Sequence, residues 1–266
     1  KHTVNPEYLF REYYYKSGVN ESMKESLKEI VGEVQKRVKL EKHDTVIDIG
    51  ANDGTLLSFY PQDDFFYRIG FEPAENLYKN MIGMTTAVNG FFSAQSYLNL
   101  YSLPSFEGVP KAKVITAIAC FYDLDDPNTF LEDVKKVLAE DGLFVIQQNY
   151  LPAMLENNAF DNIVHEHLEY YSVTSLHNLL WRYDLLIDDI EFNDVNGGSF
   201  RVYVKHKIGN VIGAHQTILS PLSDILQREK EMGLDKPLAY KEFGQKVKII
   251  RKKIHDYVAK LVANGK

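Results

Sequence analysis

Two stretches of the chain concentrate side chains able to hold and transform a small molecule. The first is Val46-Ile47-Asp48-Ile49-Gly50-Ala51-Asn52-Asp53-Gly54-Thr55, where an acidic residue ends an apolar run and glycines let the backbone pass close to a ligand. It lacks the G-x-G-x-x-G spacing that receives a pyrophosphate at a helix N-terminus. Asp48 and Asp53 would repel a pyrophosphate, whereas they suit a ligand carrying an ammonium and a sulfonium. That charge logic favours S-adenosylmethionine, with S-adenosylhomocysteine as its product. Glu72 follows a second apolar run at Gly70-Phe71-Glu72-Pro73, about 20 residues on, where a carboxylate can accept hydrogen bonds from both ribose hydroxyls. Gly50, Ala51, Asn52, Gly54, Pro73 and Ala117 complete the expected cofactor contacts, with Phe91 and Phe92 placed to stack or edge an adenine ring.

The second stretch is Asp161-Asn162-Ile163-Val164-His165-Glu166-His167-Leu168-Glu169-Tyr170-Tyr171-Ser172, which gathers two His, two Glu and two Tyr. A metal site is not expected, because adjacent residues of an extended segment point to opposite faces. Cys120, Tyr122 and Asp123 follow the fourth apolar run; Tyr122 and Asp123 are expected to line the methyl-transfer path, and Cys120 to be a small buried hydrophobe.

The elements that must position these residues follow from periodicity. Met23, Leu27, Ile30, Val31, Val34 and Val38 form one helical stripe over 21–39, capped by Asn20 or Ser22. Strands are expected at 45–49, 67–71, 85–88, 113–118 and 143–148, with helices starting near Thr55 and spanning 74–81 and 128–139. Strands separated by helices imply right-handed crossovers and a parallel sheet covered on both faces. After Tyr150 a polar, aromatic stretch runs to Tyr171, a helix fits 174–183, and two β-like runs flank the Asn196-Gly197-Gly198 turn. From about Ser220 the pattern is helical and Pro237 divides it. The expected organisation is an N-terminal aromatic segment and helix over 1–40, a cofactor-binding domain over 41–206 with an acceptor-site insert at 150–172, and a C-terminal helical extension over 207–266.

Composition narrows the partners. A net charge of −7 gives no general attraction to nucleic acid or anionic lipid. The basic stretch Lys246, Lys248, Arg251, Lys252 and Lys253 reads as a solvated helix face. The single cysteine excludes an intrachain disulfide and fits a reducing cytoplasm. No run of about 18 apolar residues is found, so a small molecule is the expected partner.

With these motifs in view, the chain resembles the sugar C-methyltransferases that act on nucleotide-linked 4-keto deoxysugars. The resemblance rests on residues 48–55, on Phe-Glu-Pro-Ala-Glu-Asn at 71–76, on His-Glu-His-Leu-Glu-Tyr-Tyr-Ser at 165–172, on Asn-Gly-Gly-Ser-Phe-Arg at 196–201 and on the aromatic stretch at 12–18. It implies an α/β, Rossmann-like class I methyltransferase with a mainly parallel seven-stranded sheet. Members commonly carry an N-terminal zinc module and a further C-terminal domain; this chain has neither, so a trimmed or minimal relative is expected. Some members have Tyr directly before His-Glu-His, where Val164 stands here.

Such chemistry needs a base, because a carbon beside a ketone becomes nucleophilic only when its proton is removed. His167 is the expected base, oriented by Glu166 or Glu169, while His165, Tyr13 or Tyr15 bond the enolate or sugar hydroxyls. Asn149, Asn196, Ser199 and Arg201 are candidate sugar or phosphate contacts, and Tyr150 and Tyr170 further substrate contacts. An O-methyltransferase of a glycan or small metabolite, and an inactive binding scaffold, are the competing readings.

Overall fold

The computed structural model describes residues 4–61, 66–82, 85–102, 107–207 and 220–265. Its sheet has seven strands in the order β3-β2-β1-β4-β5-β7-β6. These are β1 (Thr45–Ile49), β2 (Tyr67–Phe71), β3 (Thr86–Val88), β4 (Ala112–Ile118), β5 (Leu138–Asn149), β6 (Leu185–Asn193) and β7 (Ser199–His206). The first five pair in parallel, whereas β7 runs antiparallel to both β5 and β6. The expected mainly parallel seven-stranded sheet is therefore present.

Burial explains the sheet's centre. All five residues of β1 are buried, as a strand covered on both faces requires. One cover is α2 (Glu21–Arg37), whose Leu27, Ile30, Val31 and Val34 pack with Val46, Val114, Val145 and Tyr203. Each such side chain, fully buried, contributes roughly 1.5–3 kcal/mol. The Asn20 side chain caps this helix by accepting from Ser22 N, and Val38 is already extended, so the helix ends at Arg37, two residues before the stripe's expected end. The opposite cover comprises α5 (Ala94–Asn99), α6 (Pro127–Val137) and α8 (Val173–Trp181), which bury Tyr97, Leu131, Val134 and Leu176.

Three details differ from the periodicity. Strand β5 starts at Leu138 rather than near 143, with a register shift against β4 between Ala112 and Val114. Within 150–172 there is a helix, α7 (Leu151–Asn157), ended by the left-handed Asn158, and a 3-10 turn at Phe160–Asn162. The tip of the β6–β7 hairpin packs on α7, where a Cβ on Gly198 would come within 2.6 Å of the Ala153 Cβ.

The C-terminal part contains α9 (Ser220–Glu231) and α10 (Pro237–Ala263), with Pro237 opening the second helix. Of the expected extension over 207–266, residues 208–219 and 266 lie outside the described residues. Glu229 anchors α9: its buried carboxylate accepts from Tyr150 OH at 2.8 Å and from Val173 N and Thr174 N at 2.7 Å, at the start of α8. No described helix is long and apolar enough to cross a membrane.

Candidate active site

Sheet order reverses between β1 and β4, and in open α/β sheets ligands bind at such a point beyond the carboxyl ends of the strands. A cavity of about 380 Å³ opens there, a size suited to a small molecule. Its floor is the turn after β1. Gly50 has φ +67°, and a Cβ on it would approach Cys120 Cβ at 3.2 Å and Sγ at 3.3 Å, so both backbone and space call for glycine. Gly50 N and Ala51 N both donate to Phe71 O, which locks the turn to β2.

Two carboxylates fix the electrostatics. Asp48 is 3 % exposed and accepts from the Thr116 hydroxyl at 2.6 Å. Burial pushes it up to about 7, a shift opposed by the Thr116 bond and increased by Glu72. Glu72 accepts from Ala74 N and Asn52 N, both at 2.7 Å, and burial likewise pushes it up to about 7 against those bonds. Each oxygen of Glu72 keeps a further lone pair for a ribose hydroxyl. A cavity walled by buried acids favours a cationic ligand, whose arrival stabilises their ionised forms. The residues present thus fit S-adenosylmethionine.

A strap formed by the first residues roofs the cavity. Pro6, Phe10, Tyr13, Tyr15 and Ser17 line it. Two asparagine side chains clamp the strap's backbone. Asn76 accepts from Tyr13 N at 3.1 Å and donates to Tyr13 O at 2.7 Å, and Asn52 accepts from Ser17 N and donates to Tyr15 O, both at 3.0 Å. Asp53 Oδ2 accepts from Gly18 N at 2.9 Å. Tyr13 is pushed up to about 12 by burial and then by three carboxylates, Glu166, Asp123 and Glu72.

His167 stands beside this cavity. Its ring packs on Tyr122 with centroids 4.3 Å apart, and Tyr122 lines the wall. His167 Nδ1 lies 2.8 Å from Asn162 O, and because a carbonyl only accepts, Nδ1 carries the proton and Nε2 the lone pair. Burial lowers the His167 pKa, opposed by the Asn162 bond and by Glu166, so the ring is a neutral base at physiological pH. Tyr170 OH also donates to Asn162 O at 3.2 Å, and Asn149 Nδ2 donates to Asn162 Oδ1 at 2.6 Å.

Of the residues expected from sequence, Asp48, Gly50, Ala51, Asn52, Glu72, Pro73, Phe91, Phe92, Tyr13, Tyr15, Tyr122 and Asn196 line the cavity. Others are placed away from the wall or committed to partners of their own. Arg201 is 1 % exposed and committed to Gln147 Oε1 at 2.8 Å and Glu191 Oε2 at 3.0 Å, so it is a structural cation and no phosphate contact. Ser199 donates to Val195 O within the hairpin, and Tyr150 donates to Glu229. Asp53 caps Thr55 and holds the strap, and Gly54 is the left-handed N-cap of α3 (Thr55–Ser58), so neither forms the wall. Ala117 is fully buried inside β4; Ala119, with φ +54°, takes its place. His165 is exposed, and His165, Glu166, Glu169 and Asn149 all stand outside the cavity wall.

Several lining residues carried no sequence signal. Phe10, Met23 and Leu27 turn toward the cavity, although the last two belong to a stripe that reads as core. The latch made by Glu229 was equally silent, since its partners lie 55 to 79 residues away.

Comparison with known proteins agrees with this geometry. Residues 15–189 match the methyltransferase domain family, and residues 194–266 match the C-methyltransferase C-terminal domain. The chain belongs to the methyltransferase domain family, a class whose methyl donor is S-adenosylmethionine. The C-methyltransferase NovU of Streptomyces niveus is 29% identical over 268 residues, covering all of this chain and 61% of the relative, so this chain spans under two thirds of that protein. Among solved structures, a chain of the complex between the Haloferax volcanii Trm112 methyltransferase activator and a methyltransferase superposes with TM-score 0.52 at 14% identity, over 71% of this chain and 94% of that one. An S-adenosylmethionine-dependent methyltransferase of Leishmania major gives TM-score 0.51 at 13% identity, over 71% and 75%. These two likenesses are of fold.

Proposed function

We propose that this chain transfers a methyl group to carbon, on a nucleotide-linked keto sugar, through an enolate formed by His167. The observation that carries the reading is the tautomer forced on His167, which leaves Nε2 unprotonated beside the wall of the donor cavity. The match to the C-methyltransferase C-terminal domain and the likeness to NovU support carbon as the acceptor, and the family resemblance carried by the motifs at 165–172 and 196–201 supports a sugar. When bound, the donor supplies an electrophilic methyl group on a cationic sulfur.

The chain's own residues then divide the work. Asp48 and Glu72 bind the donor's polar groups, the strap excludes water, and His167 Nε2 takes the proton from the carbon beside the ketone. Tyr13, Tyr15 and Asn196, all on the wall, contact the sugar. Segment 150–172 serves as the acceptor-site insert, holding His167 through Asn162. The test is incubation with S-adenosylmethionine carrying a carbon-13 methyl and thymidine diphosphate-4-keto-6-deoxyglucose. A product whose label is bonded to a ring carbon is expected, and an O-methyl product overturns the reading.

A further inference from the structure

Removing a proton beside a carbonyl moves the C–H pair into a new C=C bond and the carbonyl π pair onto oxygen. A site for that reaction must therefore place a hydrogen-bond donor where the oxygen charge grows. Asp123 ends the 3-10 turn Phe121–Asp123 beyond β4 and lines the cavity next to Tyr122, the ring that packs on His167. Its Oδ1 is buried and has no hydrogen-bond partner among the described residues. Asp48 and Glu72, by contrast, are both bonded. The groups that face Asp123 are Glu166 from the acceptor segment, Tyr13 from the strap, Tyr170, and its neighbours Tyr122 and Cys120, with no lysine or arginine among them.

We propose that Asp123 is a catalytic acid of the enolisation, its neutral carboxyl donating a hydrogen bond to the ketone oxygen while His167 Nε2 removes the neighbouring carbon's proton. The Asp123 proton stays on its own oxygen throughout, so the step consumes nothing else. Burial, and then Glu166, push Asp123 up to about 9, which keeps the donating form at neutral pH. A buried carboxylate left ionised here, without a cation, would repel the enolate it faces. The inference deepens the ketone reading and rests on it.

The experiment reads enolisation alone. The full 266-residue chain is mixed with thymidine diphosphate-4-keto-6-deoxyglucose in deuterium oxide, without methyl donor, and exchange at the carbon beside the ketone is followed by NMR. Asp123→Ala is expected to slow exchange about 100-fold. Asp123→Asn, whose amide still donates, stays within about tenfold of the unaltered rate. It is also expected to lose the alkaline fall in rate expected of the unaltered chain near pH 9. Unaltered exchange in Asp123→Ala overturns the proposal. So does Asp123→Asn that melts normally yet is as slow as Asp123→Ala, or that keeps the alkaline fall. The Asn profile decides the matter even where the Ala variant does not fold. If the unaltered chain shows no exchange, the ketone reading itself falls and this inference falls with it.

Discussion

The two sides of the cavity, proposed as donor half and acceptor half, are built on opposite principles. The donor half is made of strand ends and tight turns whose polar atoms are already bonded: Asp48 to Thr116, Glu72 to two backbone amides, the glycine turn to Phe71. The proposed acceptor side is the strap, the 121–123 turn and the hairpin tip on the wall, with the 160–171 segment beside it, and buried oxygens there, Asp123 Oδ1 on the wall and Asn149 Oδ1 behind it, have no partners among the described residues. A site for one invariant cofactor is best made rigid and complete before the ligand arrives. A site for a hydroxylated substrate must instead leave valences open, at a cost in stability that the surrounding core offsets.

Breaking the acceptor half alone gives the largest effect. His167→Ala removes the lone pair on Nε2, so methyl transfer should fall by roughly 10²- to 10⁴-fold. Affinity for S-adenosylhomocysteine, measured by calorimetry, should stay unchanged, because His167 stands outside the donor cavity. A parallel loss of donor affinity would show that the two halves are not separable. The converse variant is Gly50→Ala, which forces a Cβ against Cys120 at a positive φ. Strain of this kind costs on the order of 1–3 kcal/mol, so donor affinity should weaken by roughly 10- to 100-fold. Donor-free exchange should persist in that variant, and its disappearance would contradict the division of labour.

The same division decides what could be read from sequence. Asp48, Gly50 and Glu72 were readable because the donor half follows from local rules: an apolar run, a glycine turn, an acid at the next strand end. The strap was not, because nothing local to Asn52 and Asp53 announces their partners, Ser17 and Gly18, which lie 35 residues away. Arg201 misled for the same reason. An arginine after a Gly-Gly turn suits a phosphate, and only the β6–β7 register, which sets Glu191 opposite it, shows that the charge is already matched. Asp123 could be placed near the path by its position after the fourth strand, but its burial and the approach of Glu166, which raise its pKa, come from the assembled fold.

Protonation gives the smallest and sharpest separation of the halves. Folding raises Asp48 from 3.8 and Glu72 from 4.5 to about 7, and Asp123 from 3.8 to about 9. A carboxyl raised on folding binds more protons in the folded chain than in the unfolded one across that interval, so stability falls as pH rises through it. His167, lowered on folding, acts in the opposite sense below its ordinary 6.5, one group against three. The free chain should therefore lose melting temperature from pH 5 to 7 on account of both halves, and from 7 to 9 through Asp123, by several degrees in total, on the order expected for a domain of this size. Asp123→Asn should flatten the upper interval and leave the lower one in place. Saturating S-adenosylhomocysteine, whose ammonium favours ionised acids, should raise the melting temperature more at pH 8 than at pH 6. A melting profile in which Asp123→Asn flattens the lower interval instead would assign the protons to the wrong half.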